Sequence, residues 1–560
     1  MLVPRKSIII KLSSVVVVLL ALVYLFTFHS ENLDYESIKT GIGRVTSTKG
    51  NKKLFEDETD PSKHSGWDED TKKIMQFIHD DAKLDSTLNS RTQFFAKIFN
   101  AIAQNTPEIP ALDKYKNEKC GVQMVDQDSQ PYFTYEELLN YLIVSETDIA
   151  ELKLKHESFL SHLPRNLPND IYTKDSSGVV YVGGNQFTWL ALISIMNLRY
   201  LGSKLPVEIL IPKFEEYELK ICSEILPLYD AKCIYLPKLV GENIANTYNF
   251  KGYQYKSLAL ALSSFENVLL LDADNTPLVN PDYLFDSEPF IGSGLILWPD
   301  FWKRTTHPSY YKIINFPIDS SKRRDYGYVE YGEKFEPVTP EGTILLHQLE
   351  NTLPDPSSES GQLLINKREH IQTILLAIYY NSLGPKYYYP LLSQGAAGEG
   401  DKETFIAAAH ALRKEYYTVK KHVAALGRFR HGEFFGSAMG QYNPKEDWEL
   451  LEKYKGQNIE VDEKPHFAFL HANFPKLDPW SMMIDDIIIE KSNAQRNRLF
   501  GENFIDEIGY DFELETWKNM EKLLCEDKLE FANFVNKDVS SETVCAEVRN
   551  HLDYLKSTTH

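Results

Sequence analysis

The stretch that decides the fold is Phe265-Glu266-Asn267-Val268-Leu269-Leu270-Leu271-Asp272-Ala273-Asp274-Asn275. A short, unbroken apolar run with no polar alternation predicts a strand buried on both faces. It ends in two carboxylates at i and i+2. Such a pair, leaving a buried strand, can converge on a hard divalent cation, with water and substrate phosphates completing the shell. A bare Asp-x-Asp at a strand end is also an ordinary acidic turn, so the surroundings must choose.

Upstream, short apolar strands alternate with helices. Val179-Val180-Tyr181-Val182, Val207-Glu208-Ile209-Leu210-Ile211 and Cys233-Ile234-Tyr235-Leu236 read as strands. Residues 187–201, 215–226 and 256–265 read as helices. This alternation predicts a mostly parallel sheet covered on both faces, where ligands sit beyond the carboxyl ends of the strands. Downstream, Ser360-Gly361-Gln362-Leu363-Leu364-Ile365-Asn366 reads as another core strand. Phe467-Ala468-Phe469-Leu470-His471 is a buried strand ending in a histidine.

Two enzyme classes place Asp-x-Asp after a strand. Asp272-Ala273-Asp274-Asn275-Thr276 matches the Asp-x-Asp-x-Thr pattern of haloacid-dehalogenase (HAD)-type phosphatases, with Asp485-Asp486 as a candidate late acidic pair. That motif lies on the first strand of its fold, whereas three strand-helix units precede it here. The layout favours instead a nucleotide-sugar transferase of GT-A type, whose nucleotide-binding half occupies those units.

The 560 residues carry a formal net charge of −20, with 43% hydrophobic and 25% charged residues. The body is therefore globular, and a broad nucleic-acid-binding face is not expected. Residues 12–28 are apolar and uncharged, preceded by Arg5, Lys6 and Lys11 and followed by Glu31, Asp34 and Glu36. This predicts a type II signal-anchor with a cytoplasmic tail at 1–11 and everything after it in the lumen. The polar stretch 29–90 reads as a stem, 91–165 as a helical extension, and 166–560 as the catalytic domain. Of five cysteines, spacing pairs Cys222 with Cys233 and Cys525 with Cys545, leaving Cys120.

The runs 269–275, Gly292-Ser293-Gly294-Leu295-Ile296-Leu297-Trp298-Pro299-Asp300-Phe301-Trp302, Glu359 to Lys367 and Gln394 to Phe405 resemble the fungal Golgi α-1,2-mannosyltransferases that branch cell-wall mannan. The resemblance extends over about 170–480. It implies a GT-A-like, Rossmann-type fold, GDP-mannose as donor, manganese as metal and a mannan or N-glycan acceptor. It also implies retention of configuration, residence in the Golgi membrane and possible membership of a Golgi mannosyltransferase complex. An α-1,3-mannosyltransferase of the same family is the near alternative. A phosphatase, or a catalytically silent carbohydrate-binding Golgi subunit, is the distant one.

The candidate site follows. Asp272 and Asp274 are the metal and donor ligands. The segment from His471 to Trp480 looks like the His-x-x-Gly-x-x-Lys-Pro-Trp segment of glycogenin-like enzymes, which implies a metal role for His471 and a diphosphate role for Lys476. It departs from that pattern, because the glycine is absent and Lys476 comes one residue early. A packing histidine and a solvated lysine are the plain alternatives. Gly361 and Gln362 are expected to face the donor, the glycine by allowing close approach of a ligand. Glu399 and Asp401, on a Gly/Ala-rich loop, are the candidate catalytic carboxylates, with Asp401 alternatively capping the helix that follows. Lys256, opening the helix before the Asp-x-Asp strand, could reach a phosphate, with a surface lysine the preferred plain reading. Trp298, Trp302 and Trp480 are candidates for sugar stacking, with core packing the commoner fate.

Overall fold

The computed structural model describes residues 66–559, apart from 85–87, 117–130, 165–167, 169–170, 324–328, 331–332, 335–341, 456, 458–461, 485–486, 502 and 532–539. The expected anchor at 12–28, Cys120 and Asp485-Asp486 therefore lie outside the described residues. No helix among the described residues is long and apolar enough to cross a membrane.

The strands, in chain order, are β1 (Thr173–Val182), β2 (Val207–Ile211), β3 (Ala231–Tyr235), β4 (Phe265–Leu271), β5 (Asn275–Pro277) and β6 (Leu295–Pro299). The short pieces β7 (Asp319–Arg323), β8 (Val329–Glu330), β9 (Glu333–Lys334) and β10 (Leu349–Glu350) pair among themselves, away from the site. Then come β11 (Ser358–Asn366), β12 (Tyr417–Thr418), β13 (Ala424–Arg430), β14 (Glu433–Tyr442) and β15 (Phe467–His471).

The main sheet runs β12-β6-β11-β4-β1-β2-β3. Its β4-β1-β2-β3 half is parallel, and β11 lies antiparallel between β4 and β6. Along β4 the side chains alternate between two cores. Leu269 and Leu271 enter one with Val179 and Tyr181 of β1, while Val268 and Leu270 enter the other with Val180. That two-sided burial explains why the sequence shows no polar alternation there.

The helix Gln186–Tyr200, apolar nearly all round, covers one face; the helix Phe512–Glu521 packs on it, and Ser541–Thr558 packs on that helix in turn. The Cys525–Cys545 disulfide ties this C-terminal layer, and Cys222–Cys233 staples the approach to β3, as the spacing predicted. The helices Gln254–Leu262, Lys367–Ser382 and Thr404–Ala411 pack the opposite face. The expected helix at 215–226 appears as a helical run over 219–229 of uneven pitch. A 3-10 turn at Phe214–Glu216 leads to a wide turn at Ile221–Ile225 and a tight one at Leu226–Tyr229. Pro227 removes a backbone donor there, and Asp230 closes the run in a left-handed conformation.

A second sheet, β13-β14-β15-β5, grows from the turn after β4. Asn275, next to the Asp-x-Asp pair, is in register with His471 at the end of β15.

Candidate active site

That register carries the site. Asp272 and Asp274 occupy the turn between β4 and β5, and Asn275 N–H donates to Asp272 C=O at 2.9 Å. Because β5 pairs with β15, the end of β15 is delivered beside the turn, and Ala472 N–H donates to Asp274 C=O at 2.9 Å. From the other side, β11 pairs with β4, and Asp272 N–H donates to Gly361 C=O at 2.8 Å. The backbone thus fixes both carboxylates from two directions.

The imidazole Nε2 of His471 lies 3.3 Å from Asp274 Oδ1 and 3.9 Å from Asp272 Oδ2. One donor atom from each of the three residues falls within 4.8 Å of the others. Two carboxylate oxygens and an imidazole suit a divalent ion such as manganese or magnesium. The donor set therefore fits the metal that the sequence resemblance implies.

Two lysines balance the acids. Lys476 Nζ ion-pairs with Asp274 Oδ2, so it is not the solvated lysine of the plain alternative. Its loop is anchored by Trp189, whose indole N–H donates to Leu477 C=O at 2.9 Å. Lys256 Nζ donates to Asp272 Oδ2 at 2.8 Å and to Ser360 Oγ at 3.1 Å, and lies 3.7 Å from Asp401 Oδ2. The expectation of a surface lysine is corrected here. The first turn of the helix Gln254–Leu262 points at the carboxyl edge of the sheet, so Lys256 is buried against the acids.

Burial works to raise the Asp274 carboxyl, but Lys476 and His471 outweigh it and hold it well below the usual carboxylate range. For Asp272 burial prevails over Lys256 and His471, and the shift is upward. Burial would lower the His471 imidazole, yet the Asp274 and Glu359 carboxylates raise it to about 10. A ring so flanked is charged, and binding an ion at its nitrogen displaces that proton.

Asp401 belongs to the same cluster. Its Oδ2 accepts from Ser360 Oγ at 3.1 Å, and burial pushes its carboxyl up to about 6 against the pull of Lys256. Its side chain does not cap the following helix; its backbone C=O accepts from Thr404 instead. Glu399 is turned back into its own loop, where its carboxylate accepts the Gly395 N–H at 2.6 Å. Burial raises it to about 7.

Gly361 departs from its expected role. A Cβ there would lie 2.6 Å from His471 Nδ1 and 2.8 Å from Glu359 Oε1, so the space is filled by the protein's own residues. The glycine seats the histidine instead of leaving room for a ligand. Gln362 is fully buried, and its Oε1 accepts the Asn275 side-chain N–H at 2.5 Å, bracing the turn from behind. Trp298 and Trp480 are core residues, and the Trp298 indole N–H donates to Tyr442 C=O at 2.9 Å.

Sequence reasoning overlooked Glu359, buried with its Oε1 3.3 Å from His471 Nδ1. It also overlooked two buried ion pairs behind the acid-bearing loop, Lys402–Asp300 at 2.7 Å and Arg304–Glu403. Glu403 further accepts the Ser358 N–H at 3.0 Å, tying that loop to the start of β11. No spacing rule links these partners. The available signal, for all but Arg304, was their presence in the runs that resemble one family.

A mostly parallel sheet with an Asp-x-Asp turn and a histidine at its carboxyl edge is the arrangement expected of a nucleotide-sugar transferase. The family model described as "Mannosyltransferase putative" matches residues 176–443. The chain is 41% identical to "Alpha-1,2-mannosyltransferase MNN21" of Candida albicans, over 83% of this chain and 75% of that one. It is 34% identical to "Alpha-1,2-mannosyltransferase MNN2" of Saccharomyces cerevisiae, over 83% and 85%. The chain belongs to this family of mannosyltransferases. Among solved structures, the galactosyltransferase LgtC with donor and acceptor sugar analogs covers 54% of this chain and 89% of its own, at 12% identity and a TM-score of 0.27, too weak to carry weight.

Proposed function

We propose that this protein is a metal-dependent, retaining α-1,2-mannosyltransferase of GT-A type that moves mannose from GDP-mannose to mannan side chains. Its setting is the Golgi lumen, with residues 12–28 as a type II anchor. The observation that carries the reading is the convergence of Asp272, Asp274 and His471 at the carboxyl edge of the sheet. The relatives, named as α-1,2-mannosyltransferases, support the linkage and the sugar.

Held there, manganese would neutralise charge on the departing diphosphate. The chain's own contribution is electrostatic and positional. Lys476, partly exposed at the rim beside Asp274, would meet the diphosphate. Lys256 sets Asp272 and Asp401 in fixed relation, 2.8 and 3.7 Å from its ammonium. An α product from an α donor requires retention, either through a carboxylate nucleophile or by front-face attack. Asp401 is the carboxylate that shares Lys256 with Asp272, whereas Glu399 accepts from Gly395 N–H in its own loop.

The test is transfer from GDP-mannose to a short mannose acceptor with manganese, followed by linkage analysis. Asp274→Asn should abolish transfer while the protein stays folded. Wild-type turnover by that variant would defeat the metal-site reading. An α-1,3 product would favour the near alternative, and phosphate released from a monoester would favour a phosphatase.

A further inference from the structure

An imidazole that ligates through one nitrogen needs its other nitrogen held, or the ring rotates and the tautomer wanders. In His471, Nε2 faces the two aspartates, and Nδ1 faces Glu359 Oε1 at 3.3 Å. Glu359 is itself pinned: the same Oε1 accepts the Gly361 N–H at 2.5 Å, and the side chain is only 9% exposed. Its other oxygen, Oε2, and the His471 Nδ1 that faces Oε1 are both buried without a hydrogen-bond partner among the described residues. A buried ring nitrogen left without a partner beside a carboxylate is expensive, and in a native protein it calls for a reason. Gly361 completes the seat, because any side chain there would collide with the ring. Three consecutive purposes thus fall on one strand end, with the pin at Glu359, the contact to Lys256 and Asp401 at Ser360, and the floor at Gly361.

We infer that Glu359 is a positioning residue for His471, taking the Nδ1–H so that the Nε2 lone pair is aimed at the ion held by Asp272 and Asp274. This rests on the metal-site reading of the cluster. With an ion on Nε2, the ring's remaining proton would sit on Nδ1, facing Glu359 Oε1. Glu359 touches neither the ion nor the transferred sugar in this role. It acts through the ring.

The experiment uses the full chain in detergent, titrated with manganese in the presence of GDP and followed by electron paramagnetic resonance. Pulsed measurements read the nitrogen coupling of a directly bound imidazole. Glu359→Gln keeps an acceptor for Nδ1–H, and Glu359→Met keeps the volume but removes it. The Met variant should bind manganese about 10- to 100-fold more weakly, with the nitrogen coupling diminished. The Gln variant should restore both to near wild type. A merely structural role would lower the melting temperature in step with affinity and leave the nitrogen signal of the bound ion unchanged. Wild-type affinity and nitrogen coupling in Glu359→Met would overturn the inference, as would a folded Glu359→Gln as impaired as the Met variant. Absence of nitrogen coupling in the wild type, with manganese bound, would remove His471 from the metal and the inference with it. That outcome differs from a wild type that binds no manganese, which would defeat the metal-site reading first.

Discussion

Gly361→Ala adds one methyl group at the centre of the site. The new Cβ would lie 2.6 Å from Nδ1 and 2.7 Å from Cε1 of His471, and 2.8 Å from Glu359 Oε1. Ordinary contact begins near 3.4 Å, so the ring must retreat by about 0.8 Å. Gly361 is not in the left-handed region, so the penalty is purely steric. Overpacking of this kind costs about 1–3 kcal/mol, which a domain with roughly 5–15 kcal/mol of stability survives. Chemistry is more sensitive, because a displacement of about 1 Å in a positioning group costs on the order of 100-fold in rate. The expected result is a folded protein, melting a few degrees lower, whose transfer from GDP-mannose with manganese falls by roughly two orders of magnitude. Radiolabelled transfer and thermal unfolding on the same preparation decide it. Wild-type turnover with an unchanged melting temperature would show that the ring is not packed on this glycine.

Lys256→Met leaves Asp272 and Asp401 without their shared cation, and transfer should drop by about 10²–10³ with the fold retained; steady-state kinetics beside circular dichroism check it. Glu403→Gln removes the charge paired with the buried Arg304 guanidinium, which also donates to neutral acceptors, and should cost about 3–5 kcal/mol in urea unfolding. A loss under 1 kcal/mol would mean the pair contributes little. Glu513 is buried, accepts the Leu499 and Phe500 N–H groups, and is pushed by burial up to about 7. Its folded state holds the proton more tightly than the unfolded chain does. This contribution is fully present below the ordinary value of 4.5 and is lost as pH rises through about 7. Melting temperature followed from pH 5 to pH 8 should therefore fall less steeply in Glu513→Gln than in the wild type; parallel curves would refute the assignment.

The parallel half of the sheet was legible because its strands are buried on both faces, and uninterrupted apolar runs such as Val268 to Leu271 have no other use at that length. The Asp-x-Asp pair and His471 stood out because each ends such a run. Lys256 was misread because a lone lysine at a helix start is usually solvated, and only the helix's aim at the sheet edge buries it. Gly361 was read with the right importance and the wrong occupant, since sequence shows that space is needed there but not what fills it. Glu359, Asp300 and Arg304 stayed hidden because their partners lie far along the chain, and ion pairs across such separations leave no periodic trace.

The register of Asn275 with His471 has a consequence for biosynthesis. The β4–β5 turn emerges from the ribosome long before β15 does. Until that late strand is made and zipped against β5, the two aspartates have no imidazole partner, and Lys476 is missing too. A nascent chain, or a product stopped short of residue 467, therefore holds only half a clasp. The cluster cannot assemble until nearly all of the chain exists, so a copy cut short before residue 467 would lack both the imidazole and the lysine.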